Sequence, residues 1–128
     1  MNQQCHARAR ILVVEDEWIL AEEMEVSLRE AGFDILGPVP SVKSALHIVE
    51  TEELDAAVLN ITLNSETSFP VARALIDRRV PFVFVTGHAA AFLPPELKNK
   101  PLLSKPVNIA VLNRYLEALL AAAQDKMA

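Results

Sequence analysis

Short apolar runs recur along the chain, and several of them end on polar residues. Ile11–Val14 runs into Glu15-Asp16-Glu17, the stretch beginning at Asp55 delivers Asn60 and then Thr62, Phe82–Val85 runs into Thr86-Gly87, and Leu102-Leu103 runs into Ser104-Lys105. Brief continuous runs of this kind suit strands buried on both faces. Phe33–Val39 reads as a further strand, placed at an edge or ended by Pro38 and Pro40, since proline cannot donate to a central ladder. Between these runs the apolar period changes to that of a helix. Leu20, Met24, Leu28 and Ala31 share one face opposite Glu22, Glu23, Glu25 and Arg29, and Gly32 supplies the stop. Ser41 caps a second helix with a stripe of Val42, Ala45, Leu46 and Val49. After a loop over Thr62–Thr67, Ser68 caps a third, with Pro70 in its first turn and its end at Arg79. His88–Asn99 contains Pro94-Pro95 and holds only a short or broken helix. From Asn108 to about Lys126, Ile109, Leu112, Leu116 and Leu119 form the apolar face of a last helix.

Alternating strands and helices imply right-handed crossovers and a parallel sheet covered on both faces. The expected fold is α/β, a flavodoxin-like (βα)5 doubly wound sheet of strand order 2-1-3-4-5. That order sets the first and third strands side by side at the switch point, where ligands bind outside the carboxyl ends of the strands. Asp16 and Asn60 should therefore meet. Residues 1–9 read as a flexible leader and 10–128 as one domain, with no linker or internal repeat.

Composition narrows the function classes. A formal net charge of −5 leaves no basic footprint for nucleic acid or an anionic membrane. Cys5 is the only cysteine, and no apolar stretch follows the leading arginines, so a cytoplasmic, reducing setting is expected. His6, His47 and His88 have no metal-ligand spacing, three glycines provide no phosphate cradle for a flavin or nucleotide carrier, and Trp18 is expected to pack near the site mouth.

Taken alone, Glu15-Asp16-Glu17 reads equally well as an acidic first turn favoured by the helix dipole. In order along the chain, however, Val-Val-Glu15-Asp16-Glu17, the strand end at position 60, Thr86-Gly87 and Leu103-Ser104-Lys105-Pro106 carry a pattern that resembles the receiver domain of two-component response regulators, over essentially residues 10 to 122. Phe84-Val85-Thr86-Gly87, with the proline-interrupted segment behind it, is similar to a mostly stand-alone subclass with a Phe-Ala-Thr-Gly motif, from whose aromatic-containing versions His88 differs.

The resemblance implies roles. Asp16 would ligate Mg²⁺ directly and Glu15 through water, position 60 would accept the phosphoryl group, and the Thr62 carbonyl would add a metal contact. Thr86 would hydrogen-bond the phosphoryl group and Lys105 would pair with it, ahead of a cis bond to Pro106. Mg²⁺ asks for hard oxygen ligands, and a transferring phosphoryl group for positive charge around its oxygens. Asn60 departs from this pattern: an amide matches aspartate in size and could still offer an oxygen to the metal beside Glu15, Asp16 and Thr62, but it is a poor nucleophile. It is an ordinary strand-end amide, a natural loss of the acceptor or an engineered substitution. The expectation is a receiver that takes no phosphate at the standard site, binds Mg²⁺ weakly, and, with Leu102 where an aromatic switch residue commonly stands, adopts a constitutive conformation. Its partners would be a histidine kinase or phosphotransfer protein, with a possible homodimer through the fourth helix, fifth strand and last helix. No output domain follows in the sequence, so its effect would come from binding. The competing class is an enzyme, a small Mg²⁺-dependent phosphatase-like α/β protein. That class needs an Asp-x-Asp pair where this chain has Glu15-Asp16-Glu17.

Overall fold

The computed structural model describes residues 8–87 and 92–127. Cys5, His6 and His88, most of the expected leader and the start of the expected fourth helix lie outside the described residues.

The central strands are β1 (Arg10–Val14), β2 (Asp34–Val39), β3 (Ala56–Asn60), β6 (Phe82–Thr86) and β7 (Leu102–Ser104), all parallel. They stand in the order β2-β1-β3-β6-β7, the expected 2-1-3-4-5 once the strands of the main sheet alone are counted. Every residue of β3 and β6 is buried, which explains why these runs are apolar without alternation. Successive residues nonetheless face opposite layers. Leu12, Val14, Leu59 and Phe84 pack with Ala45, Val49, Val71 and Leu75 from α2 (Val42–Thr51) and α3 (Phe69–Asp77). Ile11, Val13, Val58 and Val85 pack with Met24, Leu28, Leu112 and Leu116 from α1 (Trp18–Glu30) and α4 (Ile109–Met127). Each such leucine contributes roughly 1.5–3 kcal/mol by leaving water.

Edge strand β2 carries the expected prolines and a bulge. Leu12 faces Leu36 but Val14 faces Val39, so β2 holds one extra residue around Gly37-Pro38. Gly37 has φ +96, and a Cβ there would lie 2.8 Å from the Val39 nitrogen and 2.9 Å from the Val13 carbonyl. Only glycine fits.

Several expectations need correction. The stretch expected as a loop is an antiparallel hairpin of β4 (Thr62–Leu63) and β5 (Glu66–Thr67), turned through Asn64 at φ 55 and anchored by buried Leu63. Ser68 stands at the cap position of α3, but its hydroxyl makes no cap bond and is buried without a partner, because the residue lacks the extended backbone of a capping residue. Helix α3 stops at Asp77 rather than Arg79: Arg79 takes φ 61, while Val80 N–H reaches the Leu75 carbonyl and Arg79 N–H the Ile76 carbonyl, a Schellman ending. Of the fourth helix, the described residues contain a single 3-10 turn, Pro95–Leu97, as the paired prolines require. Ser41 caps α2 as expected, its hydroxyl accepting the Ser44 N–H at 3.2 Å.

Candidate functional site

The carboxyl ends of β1, β3, β6 and β7 open onto one pocket of about 320 Å³ lined by Asp16, Glu17, Asn60, Thr62, Gly87 and Lys105. Buried Glu15 and buried Thr86 complete the strand ends behind it. The topology thus brings together all six residues singled out from the sequence: Glu15, Asp16, Asn60, Thr62, Thr86 and Lys105. Lys105 N–H donates to the Thr86 carbonyl at 2.8 Å, tying the ends of β6 and β7, and the Lys105-Pro106 bond is cis.

Asn60 occupies the centre. Its side-chain nitrogen donates toward Glu15 Oε2 at 3.1 Å, Asp16 Oδ1 at 3.1 Å and the Thr62 carbonyl at 2.7 Å. The other oxygen of Asp16 accepts the Asn64 N–H at 2.8 Å, so the unforeseen hairpin fixes this carboxylate. The signal available in sequence was Asn64 itself, a residue type that tolerates the left-handed conformation of a tight turn.

Lys105 leans into the acidic cluster. Its ammonium lies 3.3 Å from Glu15 Oε1 and is hydrogen-bonded to Glu17 Oε1. Glu17, in the acidic motif but not among the expected site residues, is thus the closer partner of Lys105. Burial pushes the Glu15 carboxyl above the ordinary glutamate value of 4.5, against the opposing pull of the Glu17 N–H and the Lys105 charge. For Lys105, burial works against the charge, but the Glu17 hydrogen bond and the field of both glutamates outweigh it and hold the ammonium above its ordinary value. Trp18 does not pack over the mouth: it is 72% exposed at the start of α1.

The residues do not fit a divalent cation as arranged. The oxygens of Glu15, Asp16 and Thr62 do converge, but on the positive end of an amide. Among the described residues no group of three or more acidic, histidine or cysteine side chains could hold a metal ion.

Comparison with known proteins identifies the fold and its family. No protein-family model matches the chain. SdrG from Sphingomonas melonis is 38% identical, with 90% of this chain and 98% of that one covered and a TM-score of 0.78. A response regulator receiver protein from Sinorhizobium medicae is 30% identical, with 90% and 96% covered and a TM-score of 0.77. The receiver domain of sensor histidine kinase PA1611 from Pseudomonas aeruginosa, solved with magnesium in its active-site cleft, is 26% identical, with 90% and 99% covered and a TM-score of 0.75. Among curated relatives, transcriptional regulatory protein PdtaR of Mycobacterium tuberculosis is 22% identical over 112 residues, which are 84% of this chain. The chain spans about half of that relative's length, 55%. Matched at 30% identity across nearly all of a response regulator receiver protein, and built on a parallel sheet of order β2-β1-β3-β6-β7, this chain belongs to the CheY-like receiver domains of response regulators.

Proposed function

We propose that this chain is a receiver module of two-component phosphorelay signalling whose phosphoacceptor position, Asn60, takes no phosphoryl group, so that it acts by binding other proteins rather than as an enzyme. The observation that carries this reading is the chemistry at the end of β3. A carboxylate oxygen is the nucleophile an acyl phosphate requires; the Asn60 nitrogen, the atom presented to Glu15 and Asp16, is an amide donor. Lys105 and Thr86, the residues assigned to contact a phosphoryl group, stand at the strand ends of the pocket, and the Lys105 ammonium is engaged by Glu15 and Glu17.

The partner is a histidine kinase or a phosphotransfer protein, in the cytoplasm. Exposed apolar side chains support a binding role: Phe92, Leu102 on β7 and Tyr115 on α4 belong to the segments expected to form a docking or homodimer face, and Trp18, Ile19 and Val26 are exposed on α1. The net charge of −5 argues against nucleic acid, and no described helix is long and apolar enough to cross a membrane.

The test is intact mass after incubation with Mg²⁺ and a small-molecule phosphodonor, run beside Asn60→Asp. The parent should gain nothing and the variant one phosphoryl group. A phosphoryl group mapped to the parent's pocket would overturn the reading.

A further inference from the structure

In this pocket three acidic oxygens, Glu15 Oε2 and both of Asp16, accept hydrogen bonds from within the chain, while Glu15 Oε1 makes none and faces only the Lys105 ammonium charge at 3.3 Å. All three partners of the Asn60 nitrogen are acceptors, so the surroundings fix the amide's orientation: reversed, its oxygen would face three other oxygens. Asp16 is held from its other side by the Asn64 N–H, and Glu15 lies beside the Lys105 ammonium. Positive character therefore reaches these carboxylates from an amide at the centre and an ammonium at the rim.

We propose that the Asn60 amide and the Lys105 ammonium replace a divalent cation as the positive centre of the pocket, so that the acidic cluster and the β4–β5 hairpin are held in one arrangement without metal. The proposal deepens the receiver reading and rests on it for the expectation that a metal belongs here. The geometry supplies the rest. A cation entering among Glu15, Asp16 and the Thr62 carbonyl would have to expel the two amide hydrogens from the three oxygens they are shared among. It would then find one carboxylate fewer than an aspartate at position 60 provides. The surface offered to a partner around Thr62–Thr67 is accordingly set by folding, and Mg²⁺ has no leverage on it.

The test is an NMR titration of the parent with Mg²⁺ through the millimolar range, following the Asn60 side-chain NH₂ and the Asn64 backbone N–H, with thermal unfolding in Mg²⁺ and in chelator. The parent's resonances and melting temperature should stay unmoved and the Asn60 NH₂ should exchange slowly. In Asn60→Asp the Asn64 resonance should shift saturably, with an affinity at least about ten-fold above the parent's, since losing even an outer-shell partner weakens metal binding about 10- to 100-fold. A saturable shift in the parent, or equal stabilisation of parent and variant by Mg²⁺, would overturn the proposal. Should Asn60→Asp fail to fold without metal, the parent titration alone decides. A phosphoryl group on the parent in the mass experiment would sink the reading that position 60 takes no phosphate, whereas a saturable Mg²⁺ response here would sink this proposal and leave that reading standing.

Discussion

Glu15 is the most exacting residue of the pocket, because its side chain is wholly buried and depends on Lys105 for a compensating charge. Its carboxyl is raised by burial above the ordinary value of 4.5. A raised folded-state value means that ionising Glu15 weakens the fold: the cost is absent below the unfolded value and present in full above the folded one. Lys105→Met removes the cation that limits this cost, so the Glu15 value should climb further. The stability lost at neutral pH should be about 1–3 kcal/mol, the usual penalty for stranding a buried polar group. The loss should shrink as the pH is lowered and Glu15 takes up its proton. Carboxyl-detected NMR titration with unfolding curves in acid and at neutral pH checks this; a loss that does not vary with pH would show that Lys105 acts through packing alone. Sequence revealed that Glu15 and Lys105 share a site, since both stand at strand ends. It did not reveal that Lys105 reaches across 88 positions to Glu17, because the direction of a long flexible side chain is decided by charges that only the fold assembles.

Helix endings show what is legible in a local pattern. Helix α1 closes where Gly32 announced it: the Phe33 N–H reaches the Leu28 carbonyl, the Gly32 N–H reaches the Arg29 carbonyl, and Gly32 has φ +103. Helix α3 closes with the same pair of bonds around Arg79 at φ 61, a residue that gives no such warning, and so it was expected to run on. The hairpin at Thr62–Thr67 carries a weaker sign, its turn resting on Asn64 rather than glycine. The strands and remaining helices were readable because burial on two faces or one writes itself into period. Two substitutions separate backbone strain from packing. A Cβ at Gly32 would meet nothing within 4 Å, so Gly32→Ala should cost about 1–2 kcal/mol from the left-handed conformation alone. Arg79→Gly should relieve a similar strain and stabilise by about 0.5–1 kcal/mol, less what the unfolded chain gains in freedom. Urea denaturation of the two variants checks both signs; destabilisation by Arg79→Gly would mean that the arginine side chain holds more than the left-handed backbone costs.

At the scale of the whole molecule, charge and exposed apolar surface oppose each other. Strand order and pocket location followed from the sequence because connection rules leave few ways to wind these units. Surface pairing did not, because exposure is known only once the helices are seated. Folding leaves Phe92 83%, Leu102 on β7 36% and Tyr115 on α4 37% exposed, while the chain carries a net charge of −5. If the proposed homodimer forms through this face, apolar contact must drive it and like-charge repulsion must oppose it. Salt screens repulsion over about 10 Å at 0.1 M and leaves apolar burial largely intact. Self-association should therefore tighten as salt is raised, and Leu102→Glu should abolish it while shifting stability by no more than about 0.5 kcal/mol, as expected of a surface change. On the proposed reading of Asn60 it should also be indifferent to a phosphodonor. Sedimentation equilibrium across a salt series reads all three. Association that loosens with salt would place the contact on ion pairs instead, and a parent that stays monomeric throughout would leave this face to a different protein.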